Sequence, residues 1–228
     1  MVNETTTNAA LLDYVELGPA DATYSIIWLH GLGANGHDFE TIVPELGIPE
    51  GKKVRFILPH APDIPVTINS GMVMPAWYDI ASMDFVSQQD ELGIRVSESL
   101  LRKLIEHEMA RGVPAEHIFL VGFSQGGAIV LHTGLRYPEK LAGILALSSY
   151  LPLDMTVNNE RHEANLHTPI MLGHGTNDQV VPMQLGELSR DYLLGLGYTV
   201  EWHQYFMEHS VHPEEIEDIS RWMQAIMV

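Results

Sequence analysis

Residues 122–126 read Gly-Phe-Ser-Gln-Gly, a G-x-S-x-G pentapeptide. It follows the nearly all-apolar run His117-Ile118-Phe119-Leu120-Val121 and precedes a helix-like stretch, 125–137. A serine on a sharp strand-to-helix turn presents its hydroxyl above a sheet edge, and small neighbours let strand and helix pass closely. The helix N-terminus adds free N–H groups and positive dipole where negative charge develops in acyl transfer. Ser124 is therefore a candidate nucleophile. Such a serine needs a base, and the base an orienting acid, which on this kind of turn follow in the order acid, then histidine. Asp178 lies in Gly173-His174-Gly175-Thr176-Asn177-Asp178, after an apolar run. An aspartate there also suits the turn itself, but its place between Ser124 and a late histidine marks it as the candidate acid. Phe206-Met207-Glu208-His209-Ser210-Val211-His212 holds two histidines. His209 comes first after the strand and is favoured as base; His212 directly precedes Pro213 and suits a helix cap.

These residues need a scaffold of alternating strands and helices. Buried strands are expected at 24–30, 54–58, 117–121, 141–147 and 169–172, and a further strand at 198–206. Helices are expected near 37–46, over 86–111, 125–137 and 183–195, and from Pro213 onward. In the 86–111 stretch the apolar residues Leu92, Val96, Leu100, Leu104, Ile105 and Met109 recur at helical spacing. Apolar strands separated by helices imply an α/β fold, a mostly parallel sheet covered on both faces, in one domain over 1–228. The stretch 61–87, with three prolines, reads as a long irregular loop.

Composition narrows the function classes. The chain has 228 residues, 46% of them hydrophobic and 18% charged, as in an ordinary globular protein. A net charge of −18 with 12 Lys and Arg disfavours nucleic acid and anionic membranes as partners. No apolar run reaches the roughly 18 residues of a membrane span, and Met1–Thr7 has no secretory pattern, so the expected location is cytoplasmic. There is no cysteine, which removes disulfides, thiolate metal sites and a cysteine nucleophile. The histidines of Arg161-His162-Glu163-Ala164-Asn165-Leu166-His167 are five apart, not the four of H-E-x-x-H, and no metal site is expected.

Gly31, Gly33 and Gly36 after the strand at 24–30 match G-x-G-x-x-G, the spacing of a dinucleotide-binding turn. That reading needs an acidic residue at the end of the next strand, which here reads Ile57-Leu58-Pro59-His60. A nicotinamide oxidoreductase is thereby disfavoured, and His30 is read as a loop anchor. A non-catalytic binding protein on a hydrolase scaffold is disfavoured by the complete set of Ser124, Asp178 and His209.

Five stretches in order resemble the carboxylesterases related to acyl-protein thioesterases and lysophospholipases, within the α/β-hydrolases. They are LHGLGANGHDF from 29, LPHAPDIPVTINSGMVMPAWYD from 58, GFSQGGA from 122, HGTNDQVVP from 174 and MEHSVHPEEI from 207. The resemblance implies an α/β-hydrolase fold, with Ser124 as nucleophile, Asp178 as acid and His209 as base. It also implies an oxyanion hole formed by the backbone N–H groups of Leu32 and Gln125. Glu208 departs from the family, which commonly has glycine there. The implied activity is hydrolysis of carboxylic esters through an acyl-enzyme, with lysophospholipids or thioesters as further substrates and acyl-protein thioesterase as the alternative main activity. No cofactor is implied, and the partners are small or lipid acyl esters or an acylated protein, bound by a monomer or a homodimer. In the 61–87 loop Ile64, Val66, Ile68, Met72, Val73, Met74 and Trp77 are candidates for an apolar acyl pocket, with Ile68, Met72 and Trp77 foremost; the same residues also suit packing of the loop onto the body.

Overall fold

In a computed structural model of the chain, residues 11–82 and 88–227 are described. The expected N-terminal pattern, the end of the 61–87 loop and the first residues of the 86–111 helix fall outside them. The sheet strands are β1 (Tyr14–Leu17), β2 (Tyr24–Leu29) and β3 (Val54–Pro59). A separate hairpin pairs β4 (Asp63–Val66) with β5 (Met72–Pro75). Helix α1 (Glu91–Ala110) leads to β6 (Ile118–Phe123), α2 (Gln125–Arg136) and β7 (Gly143–Leu147). Then come α3 (Asp154–Glu160), β8 (Ile170–Gly175), α4 (Met183–Gly195), β9 (Val200–Tyr205) and α5 (Pro213–Ile226).

The described residues form a seven-stranded sheet in the order β1-β3-β2-β6-β7-β8-β9. β1 runs antiparallel to β3, and the other neighbours are parallel. Successive side chains of a strand point to opposite faces, and each face here has its own core. Ile27, Leu29, Ile57 and Leu120 pack with residues of α1 and α2 such as Leu101, Leu104, Ile129 and Leu131. Ile26, Trp28, Phe56, Phe119 and Val121 pack on the opposite face with Ile219, Trp222 and Met223 of α5. Both cores lie far from water, which is why the central strands read as nearly continuous apolar runs. Strand order reverses direction between β2 and β6, whose last residues pair Leu29 with Gly122. Loops leaving these two strands emerge side by side at the carboxyl edge, the place where open α/β sheets bind ligands.

Several expectations change. The helix expected near 37–46 is two 3₁₀ turns, Gly36–Phe39 and Val43–Leu46, ended by Gly47 in a left-handed conformation. The stretch after Ala61 is not irregular throughout but contains the β4–β5 hairpin. α1 buries Ile94, Ser97, Leu101, Leu104, Ile105 and Glu108, whereas Leu92 and Val96 face solvent. Two members of that buried stripe are polar, and both are bonded: Ser97 Oγ to the Trp77 carbonyl, Glu108 to Arg55 at 2.8 Å. Apolar spacing alone therefore finds Leu104 and Ile105 of the buried stripe but includes the exposed Leu92 and Val96 and omits the polar members.

Candidate active site

The turn between β6 and α2 holds Ser124 at φ 55°, ψ −120°, a conformation that L-residues rarely adopt. It persists because the surroundings are too close to permit another path. A Cβ on Gly122 would run into the Gly126 carbonyl, and one on Gly126 into the carbonyls of Leu29 and His30. The strand, the helix start and the end of β2 thus press together around the serine. Ser124 N–H donates to the Leu147 carbonyl at 2.8 Å, which ties the turn to β7.

Asp178 follows β8 and His209 follows β9, two paired neighbours in the sheet. Their loops are bonded to each other through the backbone. Thr176 N–H donates to the Tyr205 carbonyl at 2.8 Å and Asn177 N–H to the Met207 carbonyl at 3.0 Å. His209 Nδ1 lies 2.7 Å from Asp178 Oδ2, and His209 Nε2 lies 2.9 Å from Ser124 Oγ. Asp178 Oδ1 accepts the N–H groups of Val180 and Val181, both at 2.9 Å. Burial works against ionisation of this carboxyl, but the bonds from His209 and from the two N–H groups outweigh it, holding its pKa below the usual value. An ionised Asp178 places the imidazole proton on Nδ1 and leaves Nε2 to accept from the serine. The Phe123 ring, 4.8 Å from the His209 ring between centroids, backs the imidazole. His212 caps α5, its Nδ1 accepting from Glu214 N–H at 3.2 Å.

Two clefts meet at Ser124. The first, about 260 Å³, has mainly apolar walls: Leu32 from the loop after β2, Ile68, Tyr78 and Ile80 from the segment between β3 and α1, and Tyr150, Val180 and Val181. Ser124, Gln125 and Asn69 complete it. The second, about 410 Å³, opens beside His209, Ser210 and Val211 and is bounded by Gly31, Phe39 and Phe123. Of the residues expected to contact substrate, Ile68 lines the first cleft. Met72 is 63% exposed on β5, and Trp77 is only 3% exposed; neither is among the lining residues of either cleft. The Trp77 ring is turned inward, donating from Nε1 to the His30 carbonyl at 2.8 Å. Tyr78 lies in the 58–79 stretch that resembles the family, but its pairing with Tyr150, hydroxyl to hydroxyl at 2.8 Å, leaves no signal in the sequence because the two are 72 residues apart.

Leu32 and Gln125 both border the first cleft beside Ser124. Gln125 is the first residue of α2, where a backbone N–H has no partner within the helix. Gly33, at φ 75°, turns the chain away from Leu32, and its N–H donates to the Pro75 carbonyl at 2.8 Å. Among the described residues no group of three or more histidine, cysteine or acidic side chains is arranged to hold a metal. Among them, too, no helix is long and apolar enough to cross a membrane.

Comparison with known proteins agrees with this architecture. The chain is 41% identical over 211 residues to acyl-protein thioesterase 1 of Gibberella zeae, covering 89% of this chain and 90% of that one. It is 42% identical over 213 residues to the protein of the same name from Yarrowia lipolytica, covering 90% and 94%. Among solved structures, Arabidopsis thaliana SOBER1 superposes with a TM-score of 0.85 at 32% identity, over 90% of this chain and 99% of that one. Acyl-protein thioesterase 2 of Zea mays gives 0.82 at 28% identity, over 95% and 99%. The sequence pattern of the phospholipase/carboxylesterase family matches residues 13–227. With its mostly parallel sheet, its serine at the β6–α2 turn and this extent of likeness, the chain belongs to the phospholipase/carboxylesterase family, serine ester hydrolases of the α/β-hydrolase fold.

Proposed function

We propose that Ser124 is the nucleophile, His209 the general base and Asp178 the acid that orients it, with the Leu32 and Gln125 N–H groups as the oxyanion hole. The observation that carries this reading is the continuous hydrogen-bond chain from Ser124 Oγ through His209 to Asp178. His209 Nε2 takes the hydroxyl proton as Oγ attacks the substrate carbonyl. The two N–H groups receive the oxyanion of the tetrahedral intermediate, and Asp178 stabilises the imidazolium. The intermediate collapses as His209 protonates the leaving oxygen or sulfur, which departs through the open cleft beside it. Water, deprotonated by the same imidazole, then attacks the acyl-enzyme and releases the acid. Every step is a proton transfer or an acyl transfer, so the scheme calls for no cofactor.

The apolar first cleft suits the acyl group and the wider second one the leaving group. This division supports substrates with an alkyl acyl chain and a bulky alcohol or thiol. Relatives named acyl-protein thioesterase 1, alike over about nine-tenths of the chain, favour a thioester on an acylated protein as the main substrate. Lipid esters and small carboxylic esters are further substrates in this reading, and a cytoplasmic location agrees with it.

The test is fluorophosphonate labelling followed by mass spectrometry, together with kcat/KM for matched p-nitrophenyl esters and an S-acyl peptide. Label on Ser124 and loss of all turnover in Ser124→Ala are expected. Full turnover by Ser124→Ala would sink the nucleophile assignment, and the absence of S-acyl peptide cleavage beside rapid ester cleavage would sink the thioester preference.

A further inference from the structure

A trans peptide is planar, so its C=O and N–H point in opposite directions, and a bond that fixes the oxygen also aims the hydrogen. The Leu32 N–H shares its peptide with the Gly31 carbonyl, and the Gln125 N–H shares its peptide with the Ser124 carbonyl. Each of these oxygens is held by a buried side chain. His30 Nδ1 lies 2.7 Å from the Gly31 oxygen, and Ser149 Oγ donates to the Ser124 oxygen at 2.7 Å. From this geometry we infer that His30 and Ser149 are positioning residues for the oxyanion hole, each aiming one of its two N–H donors from behind. The inference rests on the proposed roles of Leu32 and Gln125.

The direction of the His30 bond is set by its other nitrogen. Ala61 N–H donates to Nε2 at 3.0 Å, so the ring proton sits on Nδ1 and is given to the Gly31 carbonyl. Burial lowers the His30 pKa, against the opposing effect of the Gly31 bond, and keeps the ring neutral with that single proton. The backbone of the same residue is held as well, its carbonyl accepting from Trp77 Nε1 at 2.8 Å. Ser149 is buried, and its Cβ lies against Gly127 on the first turn of α2, where a larger side chain at 127 would collide with it. The Ser124 carbonyl also accepts the Ala128 N–H, at 3.2 Å, as the first bond of the helix. The Ser149 hydroxyl is thus a second and shorter bond to that oxygen. Bonds to a carbonyl polarise the whole peptide, which makes its N–H the better donor as well as the better aimed one.

The role predicts a loss confined to the transition state, because the oxyanion exists only there. In Ser149→Ala, kcat is expected to fall roughly 10- to 100-fold with KM within about twofold. Affinity for a trifluoromethyl ketone, which forms a tetrahedral adduct with the serine, should fall by the same factor. His30→Leu should behave likewise, while His30→Asn, whose amide N–H can reach the Gly31 oxygen, should recover part of the loss. Thermal denaturation of each variant identifies those that fold, and Ser149→Ala removes only one hydroxyl. Unchanged kcat in folded Ser149→Ala would overturn the inference, as would a fall in kcat with inhibitor affinity intact. Failure of the wild-type enzyme to form the ketone adduct at Ser124 would instead remove the nucleophile assignment on which the inference stands.

Discussion

Asp178 meets His209 with one carboxylate oxygen and keeps the other for its own turn. Oδ2 lies 2.7 Å from His209 Nδ1, while Oδ1 accepts two backbone N–H groups at 2.9 Å. The same side chain therefore holds the loop and orients the imidazole, and the two tasks can be separated. In Asp178→Asn the amide oxygen keeps the bonds of Oδ1, and the NH₂ group then faces His209 Nδ1. The ring must turn its lone pair to that group and move its proton to Nε2, where it can no longer accept from Ser124. A fall in kcat of about 10⁴-fold is expected with the melting temperature little changed. Steady-state kinetics and thermal denaturation on the same preparation check both halves.

Trp77 is a structural partner of the loop after β2, not a wall of the cleft. Trp77→Phe keeps most of the ring and removes the N–H that satisfies the His30 carbonyl. Leaving a buried carbonyl unpaired costs about 1–3 kcal/mol, so denaturation should shift by that amount while KM for acyl esters stays near the wild-type value. A large rise in KM with unaltered stability would return Trp77 to the substrate site.

Glu215, on the first turn of α5, is buried against Gly173 of β8. Burial raises its pKa from 4.5 to about 8, opposed by the His212 backbone N–H and aided by Asp218. An unfolded chain releases this proton near pH 4.5 and the folded one only near pH 8. The unfolded state thus binds fewer protons between these values, and Glu215 makes stability decline as pH rises across that window. Glu215→Gln should flatten the decline, so its stability relative to wild type should improve by a few kcal/mol between pH 5 and pH 8. Urea unfolding of both proteins at the two pH values reads the difference directly, and parallel pH dependence would refute the assignment.

Arg55 and Glu108 form a salt bridge at 2.8 Å with both side chains fully buried, linking β3 to α1. Arg111 extends it to Glu16 of β1 through bonds of 2.9 Å to Glu108 and 2.7 Å to Glu16. Removing one member leaves a buried guanidinium without its counter-charge. Glu108→Ala is expected to lose about 3–5 kcal/mol in denaturant unfolding with no selective effect on kcat, while Arg111→Ala, at the exposed end, loses far less.

The order of Ser124, Asp178 and His209 and the apolar strands between them were legible because both are local signals. A strand buried on two faces is mostly apolar, with a buried polar residue such as Arg55 held by its own partner, and a serine on a tight strand-to-helix turn needs small residues around it. β1 gave no such signal, being short and half-buried at the sheet edge, with Glu16 directed to Arg111. The buried face of α1 is only partly legible, because Ser97 and Glu108 are buried through bonds to distant partners while Leu92 and Val96 face solvent.

By itself the sequence determined most of the strand–helix alternation and the order of the candidate site residues, since these depend on periodicity and on turns of a few residues. Only the tertiary structure decided which side chains wall the cleft and which ones stand behind it. Ile68 and Tyr78 from one segment meet Tyr150 and Val180 from two others, Trp77 turns inward to His30, and Ser149 reaches the carbonyl of Ser124 across 25 residues. The physical reason is that a buried polar group takes whichever partner the packing brings within about 3 Å, and that partner is set by the fold, not by distance along the chain.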